Sequence, residues 1–181
     1  QADMPPAVPD MGPSGSDMAD MEEGSGSVVP AGCNPLAHEI DCLYPYPSDV
    51  FLVEDAQTPS GRRIQLGEAA KLSERNGDTL DFLEMHPADG FSHHQPIGVY
   101  FGEPVDTSNV TFHDEDLSAT LEPTSTTLLI RADTGEPVMH WAENDLAGED
   151  EGDPRVFYLR ALENLEHETR YIVALQGLMG E

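Results

Sequence analysis

Two cysteines offer the clearest chemistry in this sequence. Cys33 and Cys42 lie close together in the segment CNPLAHEIDC, beside a proline-rich stretch. An even number of cysteines at short spacing is typical of a disulfide in an exported protein. Two unpaired thiols, or half of a zinc site completed by His38, would use the same residues, although no second pair of ligands occurs at zinc-site spacing. We expect a disulfide between Cys33 and Cys42.

Neighbouring histidines are a second candidate, for metal binding or acid–base chemistry. His93 and His94 follow Asp89 within a few positions. Adjacent residues of a strand point to opposite faces, so two such imidazoles do not share a metal ion unless the chain is irregular there. We therefore expect a solvated loop. His140, next to Trp141, is expected to lie in a strand with one of these two side chains inside and the other outside.

Two acidic stretches supply the oxygen ligands that calcium prefers. One covers residues 113–116 and the other residues 144–153, in which Asp145, Asp150 and Asp153 are the candidate ligands. Neither stretch has the alternating acidic ladder, the glycine and the distant glutamate of a calcium-binding loop. We expect solvated loops and assign no metal site, with calcium at residues 144–153 kept as the alternative.

The residues of a hydrolase site are incomplete. Ser48, Asp49 and Ser92 are of the right types for a serine triad, but nothing identifies an activating histidine or oxyanion donors. A G-x-S-x-G nucleophile elbow does not occur in the sequence, and GPSG at residues 12–15 fails its spacing. We predict no catalytic residue and no cofactor for this chain.

The alternation of apolar and polar residues predicts the strands that would position the candidate side chains. Alternation with a period of two covers residues 126–131, 137–143, 155–160, 171–175 and 97–101. Asp133 and Gly135 form a turn after the first of these segments, so a short hairpin is the simplest arrangement there. Residues 118–123 predict a further strand, and Leu162 and Leu165 are expected to plug the end of the assembly.

The fold class that this pattern indicates is mainly β: an Ig-like antiparallel β-sandwich over residues 96–178. Residues 33–95 predict an irregular, disulfide-containing region with one or two short helices, one over residues 67–75 and one ended by Pro87. Residues 1–32 are rich in Pro, Gly, Ser, Asp and Met without a hydrophobic period, which predicts a disordered acidic tether.

The charge excludes some classes of partner. The chain has 35 acidic and 8 basic residues, a formal net charge of −27. Nucleic acid is therefore not expected as a partner, because phosphate binding needs clustered Lys and Arg. Anionic membrane surfaces are disfavoured for the same reason. No apolar run approaches the ~20 residues of a membrane helix. We expect membrane contact only through a lipid anchor that has been lost from the chain.

Several short motifs, taken in order, resemble a known family. They are Cys33 with Cys42, YPYPSDVF at residues 44–51, TPSGR at 58–62, DGFS at 89–92, ADTGE at 132–136 followed by HWAE at 140–143, and TRYIVAL at 169–175. Their order is similar to the N-terminal Ig-like region of bacterial virulence-factor-type lipases and of large exported surface proteins of the myxobacterial type. In that family this region precedes an α/β-hydrolase domain.

The resemblance implies an accessory role. It predicts a non-catalytic Ig-like domain of an exported or surface-anchored bacterial protein, located outside the cell or on the outer-membrane surface. Its partner would be a lipase or esterase domain beyond the end of this chain, which we expect to be a fragment. The alternative is a stand-alone surface domain for adhesion to a protein or polysaccharide. A small hydrolase is disfavoured because the nucleophile elbow is missing.

Overall fold

The computed structural model describes residue 29 and residues 31–37, 41–73, 76–80, 82–145 and 155–180. These parts are mainly β, with short helical turns. The strands are β1 (Leu52–Glu54), β2 (Arg62–Ile64), β3 (Leu72–Ser73), β4 (Thr79–Leu80), β5 (Ile97–Tyr100), β6 (Thr127–Arg131), β7 (His140–Asn144), β8 (Val156–Ala161) and β9 (Tyr171–Leu175). The helical elements are the 3-10 turns Asp49–Phe51, Glu68–Ala70 and Leu117–Leu121 and one short α-helix, α1 (Phe82–Met85).

Two antiparallel sheets face each other across the main core. One has the strand order β5-β8-β7, and the other pairs β6 with β9. Inward-pointing strand residues meet in one buried cluster, formed by Ile97, Leu129, Ala142, Phe157 and Leu159. Val105 and Val110, from the connection between β5 and β6, complete this cluster. Full burial of one large apolar side chain contributes ~1.5–3 kcal/mol. The predicted mainly β, antiparallel sandwich is confirmed.

The connection from β6 to β7 is not the simple hairpin that the turn signal predicts. Gly135 closes the turn with a φ of 75°, and Ile130 makes one bridge to Pro137. The chain then leaves β6, and β7 pairs with β8 in the other sheet. This crossing places fully buried His140 opposite Thr127, and their side chains form a hydrogen bond of 2.9 Å across the core. The chain therefore crosses from one sheet to the other between β6 and β7.

Residues before 96 build a second, smaller core around the disulfide. Its buried members are Cys33, Cys42, Phe51, Ile64 and Ala70. β1 and β2 form an antiparallel hairpin, and Gly61 has a φ of 72° in the turn that joins them. The two cores lie on either side of the predicted domain boundary at residues 95 and 96, which itself stays a prediction.

Backbone pairing joins the second core to the sandwich. Tyr46 and Gly98 exchange hydrogen bonds of 3.0 and 2.8 Å between their amide and carbonyl groups. This bridge lies on the side of β5 away from β8, so the segment around Tyr46 covers the outer edge of the three-stranded sheet. The two parts of the chain therefore share hydrogen bonds and do not merely touch.

The strand predicted at residues 118–123 is wrong. The segment forms the 3-10 turn Leu117–Leu121. The carboxylate of Asp116 accepts a hydrogen bond of 3.0 Å from the amide of Ser118, and the hydroxyl of Thr120 donates one of 2.8 Å to the carbonyl of Leu117. Side chains that cap the backbone in this way favour a helical turn over a sheet.

The helix predicted over residues 67–75 is also wrong for the residues described there. Only Glu68–Ala70 is helical, and β3 follows it and pairs with β4. Gly67 offers no side chain to cap a longer helix, and a Cβ on it would lie 2.4 Å from the carbonyl oxygen of Gly32. Gly67 is extended and lies against the backbone of Gly32, and the helical turn that follows it ends at Ala70. Helix α1 stands where a second short helix is predicted.

Only one of the two leucines expected to plug the sandwich does so. Leu165 packs against the main core, whereas Leu162 is 50% exposed. The predicted tether lies outside the described residues except for positions 29, 31 and 32. Within the described parts of the chain, no helix is both long enough and apolar enough to cross a membrane.

Candidate functional site

The candidate site is a cleft of about 360 Å³ between the three-stranded sheet and the segment before β1. We call it the tyrosine cleft. It is lined by Tyr44, Tyr46, Gln95, Pro96, Asp145, Tyr158 and Arg160. The volume falls within the range of small-ligand sites, and the lining combines aromatic rings with a few polar groups, as such sites do.

Strand β8 supplies one wall of the cleft. Phe157 and Leu159 point into the core, so Tyr158 and Arg160 lie on the opposite face of the sheet. The Arg160 Nε donates a hydrogen bond of 2.6 Å to the Glu143 carboxylate on β7, and the guanidinium carbon lies 5.3 Å from the centre of the Tyr158 ring. Glu143 balances the charge of Arg160 and holds it beside the ring.

Gly98 makes room for the second tyrosine. It pairs with Tyr158 in the sheet, and the ring of Tyr44 lies over it. A Cβ at this position would lie 2.5 Å from Cε1 of Tyr44 and 3.0 Å from Cε1 of Tyr158. The two hydroxyl oxygens are 3.4 Å apart. The missing side chain therefore allows two phenols from distant segments to meet.

Tyr46 is held by rings of the second core. Its ring packs edge to face on Phe91 at 5.5 Å and lies 6.2 Å from Phe51. Asp41 fixes the segment before it, because its carboxylate accepts hydrogen bonds from the amides of Leu43, at 2.9 Å, and Tyr44. Packing and backbone contacts thus position the rings in advance of any ligand.

Both phenols that approach the cleft from this segment stay neutral. Burial raises the pKa of Tyr44 far above its ordinary value, and the nearby hydroxyl of Tyr158 raises it further. Burial also raises the pKa of Tyr46, although a hydrogen bond with Gln95 works in the other direction. The hydroxyls therefore remain hydrogen-bond donors and acceptors at physiological pH.

The paired histidines lie in an irregular segment and not in a strand, and there the two adjacent side chains come together. The rings of His93 and His94 lie 4.4 Å apart, because residues 92–95 form a turn and not a strand. His167 joins them at 4.6 Å from His93. Partial burial lowers the pKa of His93, and the two neighbouring imidazoles lower it further. Among the described residues, however, no three His, Cys, Asp or Glu side chains are placed to hold a metal ion.

The serine-triad candidates are occupied in local structure. The Ser48 hydroxyl accepts from the amide of Val50, and the Ser92 hydroxyl accepts from the amide of His94. Asp49 forms an ion pair of 3.0 Å with Arg170. These are turn and surface contacts, and they do not join a nucleophile to a base.

The calcium candidates are only partly described. Asp145 lies at the tyrosine cleft, and its amide donates a hydrogen bond of 2.8 Å to the carbonyl of Val156. Asp150 and Asp153 lie outside the described residues, so calcium binding at residues 144–153 stays a prediction. In the other acidic stretch, the Glu115 carboxylate accepts from the amide of Phe112 at 2.8 Å, which is a turn contact.

The predicted disulfide is confirmed. Cys33 and Cys42 are bonded, and both are buried. Because their sulfurs are used in the bond, they are neither free thiols nor ligands of a zinc ion. His38 lies outside the described residues.

Sequence reasoning did not identify the tyrosine cleft. Tyr44 and Tyr46 were noted only as part of the motif YPYPSDVF, and Tyr158 and Arg160 only as residues of a predicted strand. Two signals were available in the sequence. One is the pair of outward residues on β8, Tyr158 and Arg160, and the other is Gly98 within the apolar strand β5, since a glycine there indicates the close approach of another group.

No protein-family model matches the sequence, and neither a curated protein nor a solved structure was found to match it. The likeness to the N-terminal region of virulence-factor-type lipases therefore stays a prediction.

Proposed function

We propose that this chain is a non-catalytic, exported β-sandwich module that binds a ligand in the tyrosine cleft. The cleft carries the proposal, because it brings three phenol rings and several polar side chains from separate segments to one preformed surface. Export is supported by the disulfide, since such bonds persist in oxidising compartments. The lack of a G-x-S-x-G segment supports a role other than ester hydrolysis.

In its parent protein the module would accompany a lipase or esterase domain. This part of the proposal is supported by the order of the sequence motifs alone. Reading the coding sequence beyond Glu181 tests it, and we expect several hundred further residues that include a nucleophile elbow. A coding sequence that stops at Glu181 would instead favour the stand-alone surface binder.

Binding is tested by NMR titration of the isotope-labelled chain with pools of neutral oligosaccharides, anionic oligosaccharides and proline-rich peptides. We expect amide shifts for at least one pool, centred on the amides of Tyr44, Tyr46 and Gln95 and of residues 158–160. Shifts that avoid these residues, or their complete absence, would refute binding at the cleft. In parallel, hydrolysis of a short-chain nitrophenyl ester should not exceed the buffer rate, and clear turnover would refute the non-catalytic role.

A further inference from the structure

The side chains around the tyrosine cleft divide into two chemical kinds. Tyr44, Tyr46 and Tyr158 present large apolar rings that end in hydroxyls. Gln95, Asp145 and Arg160 end in planar groups with paired hydrogen-bonding atoms. A ligand that matches both kinds has an apolar face and an edge of closely spaced polar groups.

We propose that the ligand is a neutral carbohydrate, an inference that rests on the proposed binding function. A pyranose ring has a face of C–H groups that packs on phenol rings, and adjacent hydroxyls that can each donate and accept a hydrogen bond. Planar amide, carboxylate and guanidinium groups bind such hydroxyl pairs with two parallel hydrogen bonds, as they do other bidentate partners. The cleft supplies all three groups beside its rings.

Charge argues against anionic ligands. Among the described residues that line the cleft, the cation is Arg160, and Glu143 at 2.6 Å already balances its charge. Asp145 adds negative charge, and the whole chain carries a net charge of −27. The field around such a protein repels sulfated or uronic-acid sugars and reduces their association rate.

Cationic ligands are also disfavoured by the contents of the cleft. Arg160 lies 5.3 Å from the ring centre of Tyr158, so a resident cation already uses that ring. The guanidinium of Arg160 already covers this face of the ring, so a ligand cation would have to displace it. A neutral polyhydroxylated ligand can use both the rings and the planar polar groups without adding a net charge.

A proline-rich peptide is the competing neutral occupant, because such peptides dock on aromatic grooves. The volume of about 360 Å³ suits one or two sugar rings, and the planar polar groups offer more hydrogen bonds than a proline-rich peptide can use. The rings are also held in advance: Tyr44 fits over Gly98, and Tyr46 packs on Phe91. Little ordering cost therefore opposes a small ligand.

The test is binding of the full chain to an array of neutral and anionic glycans, with a proline-rich peptide measured alongside. We expect the parent chain to retain neutral glycans and to exclude anionic ones. In Tyr158→Ala, retention of neutral glycans should fall at least about tenfold, which corresponds to about 1.4 kcal/mol of binding free energy. Gln95→Ala should also weaken the retention of neutral glycans, and it changes the packing less than removal of the Tyr158 ring does. Tyr171→Phe, a tyrosine outside this cleft, is the control and should bind like the parent chain.

The outcomes separate the two proposals. Peptide binding, or binding of anionic glycans alone, that depends on Tyr158 would refute the carbohydrate inference and leave the binding function standing. If no glycan or peptide binds in a way that depends on Tyr158, both the carbohydrate inference and the binding function are refuted. Circular dichroism spectra and melting curves of each variant show whether it is folded. Unchanged retention of neutral glycans by Gln95→Ala would also count against the carbohydrate inference.

Discussion

Gly98 shows how one residue decides the shape of the candidate site. The absent side chain is the space that Tyr44 occupies beside Tyr158. Sequence alone indicates only that a glycine in an apolar strand has some close neighbour. The identity of that neighbour depends on a segment far away in the chain, which no local pattern specifies.

Substitution Gly98→Ala should destabilise the fold and distort the cleft. The added methyl would lie 2.5 Å from Cε1 of Tyr44, so the ring must move. We expect a loss of about 1–3 kcal/mol in the free energy of unfolding, typical of overpacking, measured by urea denaturation. Gly90→Ala is the matched control, because an added Cβ there meets nothing within 4 Å. Equal stability of the two variants would contradict the account of Gly98.

His140 is a buried titratable group that joins the two sheets. Its Nδ1 lies 2.8 Å from the carbonyl of Val138, so Nδ1 carries the proton, and Nε2 accepts from the Thr127 hydroxyl. The Thr120 hydroxyl accepts from the backbone amide of His140 at 3.3 Å. Burial lowers the pKa of His140 below its ordinary value of 6.5, so the native state keeps the ring neutral.

This pKa predicts a loss of stability in mild acid. Between the lowered native pKa and 6.5, the unfolded chain binds the proton on His140 and the folded chain does not. The free energy of unfolding therefore falls as the pH falls below about 6.5, by at most about 1.4 kcal/mol per pH unit. Chemical denaturation from pH 7.5 to 5.5 should show this slope. It should flatten in His140→Gln and persist in His113→Gln, whose histidine is exposed. Equal slopes in all three proteins would rule out His140 as the source.

At the scale of elements, local patterns and long-range contacts carry different information. The strands β5 to β9 were predictable because alternation is written in each segment itself. The sheet that β7 joins was not, since no local pattern specifies that β7 pairs with β8 and not with β6. Residues 118–123 were predicted wrongly because the capping by Asp116 outweighs a weak strand pattern.

The disulfide should contribute measurably to the smaller core. It closes a loop with a sequence separation of 9, for which the chain-entropy model gives about 2.7 kcal/mol. We expect Cys33→Ser, or reduction of the parent chain, to lower the melting temperature. The reductant should have no effect on the serine variant, which controls for non-specific action. A melt of the parent chain that reductant leaves unchanged would contradict a stabilising bond.

At the scale of the whole molecule, charge is the dominant feature. Several basic side chains of the described parts pair with carboxylates, as in Arg63 with Asp55 and Arg131 with Glu166. With 35 acidic residues against 8 basic ones, most carboxylates have no basic residue to pair with. Their mutual repulsion opposes compaction and is reduced by salt.

Salt should therefore stabilise the protein at neutral pH. We expect the melting temperature to rise by several degrees between about 20 mM and 500 mM NaCl, because the Debye length falls from roughly 20 Å to about 4 Å. The same comparison near the sequence pI of 4.2 is the control, since protonation removes much of the repulsion there. A salt response of equal size at both pH values would show that repulsion is not its cause.

The bridge between Tyr46 and Gly98 has a consequence for handling this protein. It occupies backbone groups on the outer side of β5 that would otherwise form an open template for another strand. A truncation that begins at residue 96 would remove this cover and leave the edge free to pair with a second chain. Such a fragment should aggregate or exchange strands, so the N-terminal region acts as a built-in guard against intermolecular β-pairing.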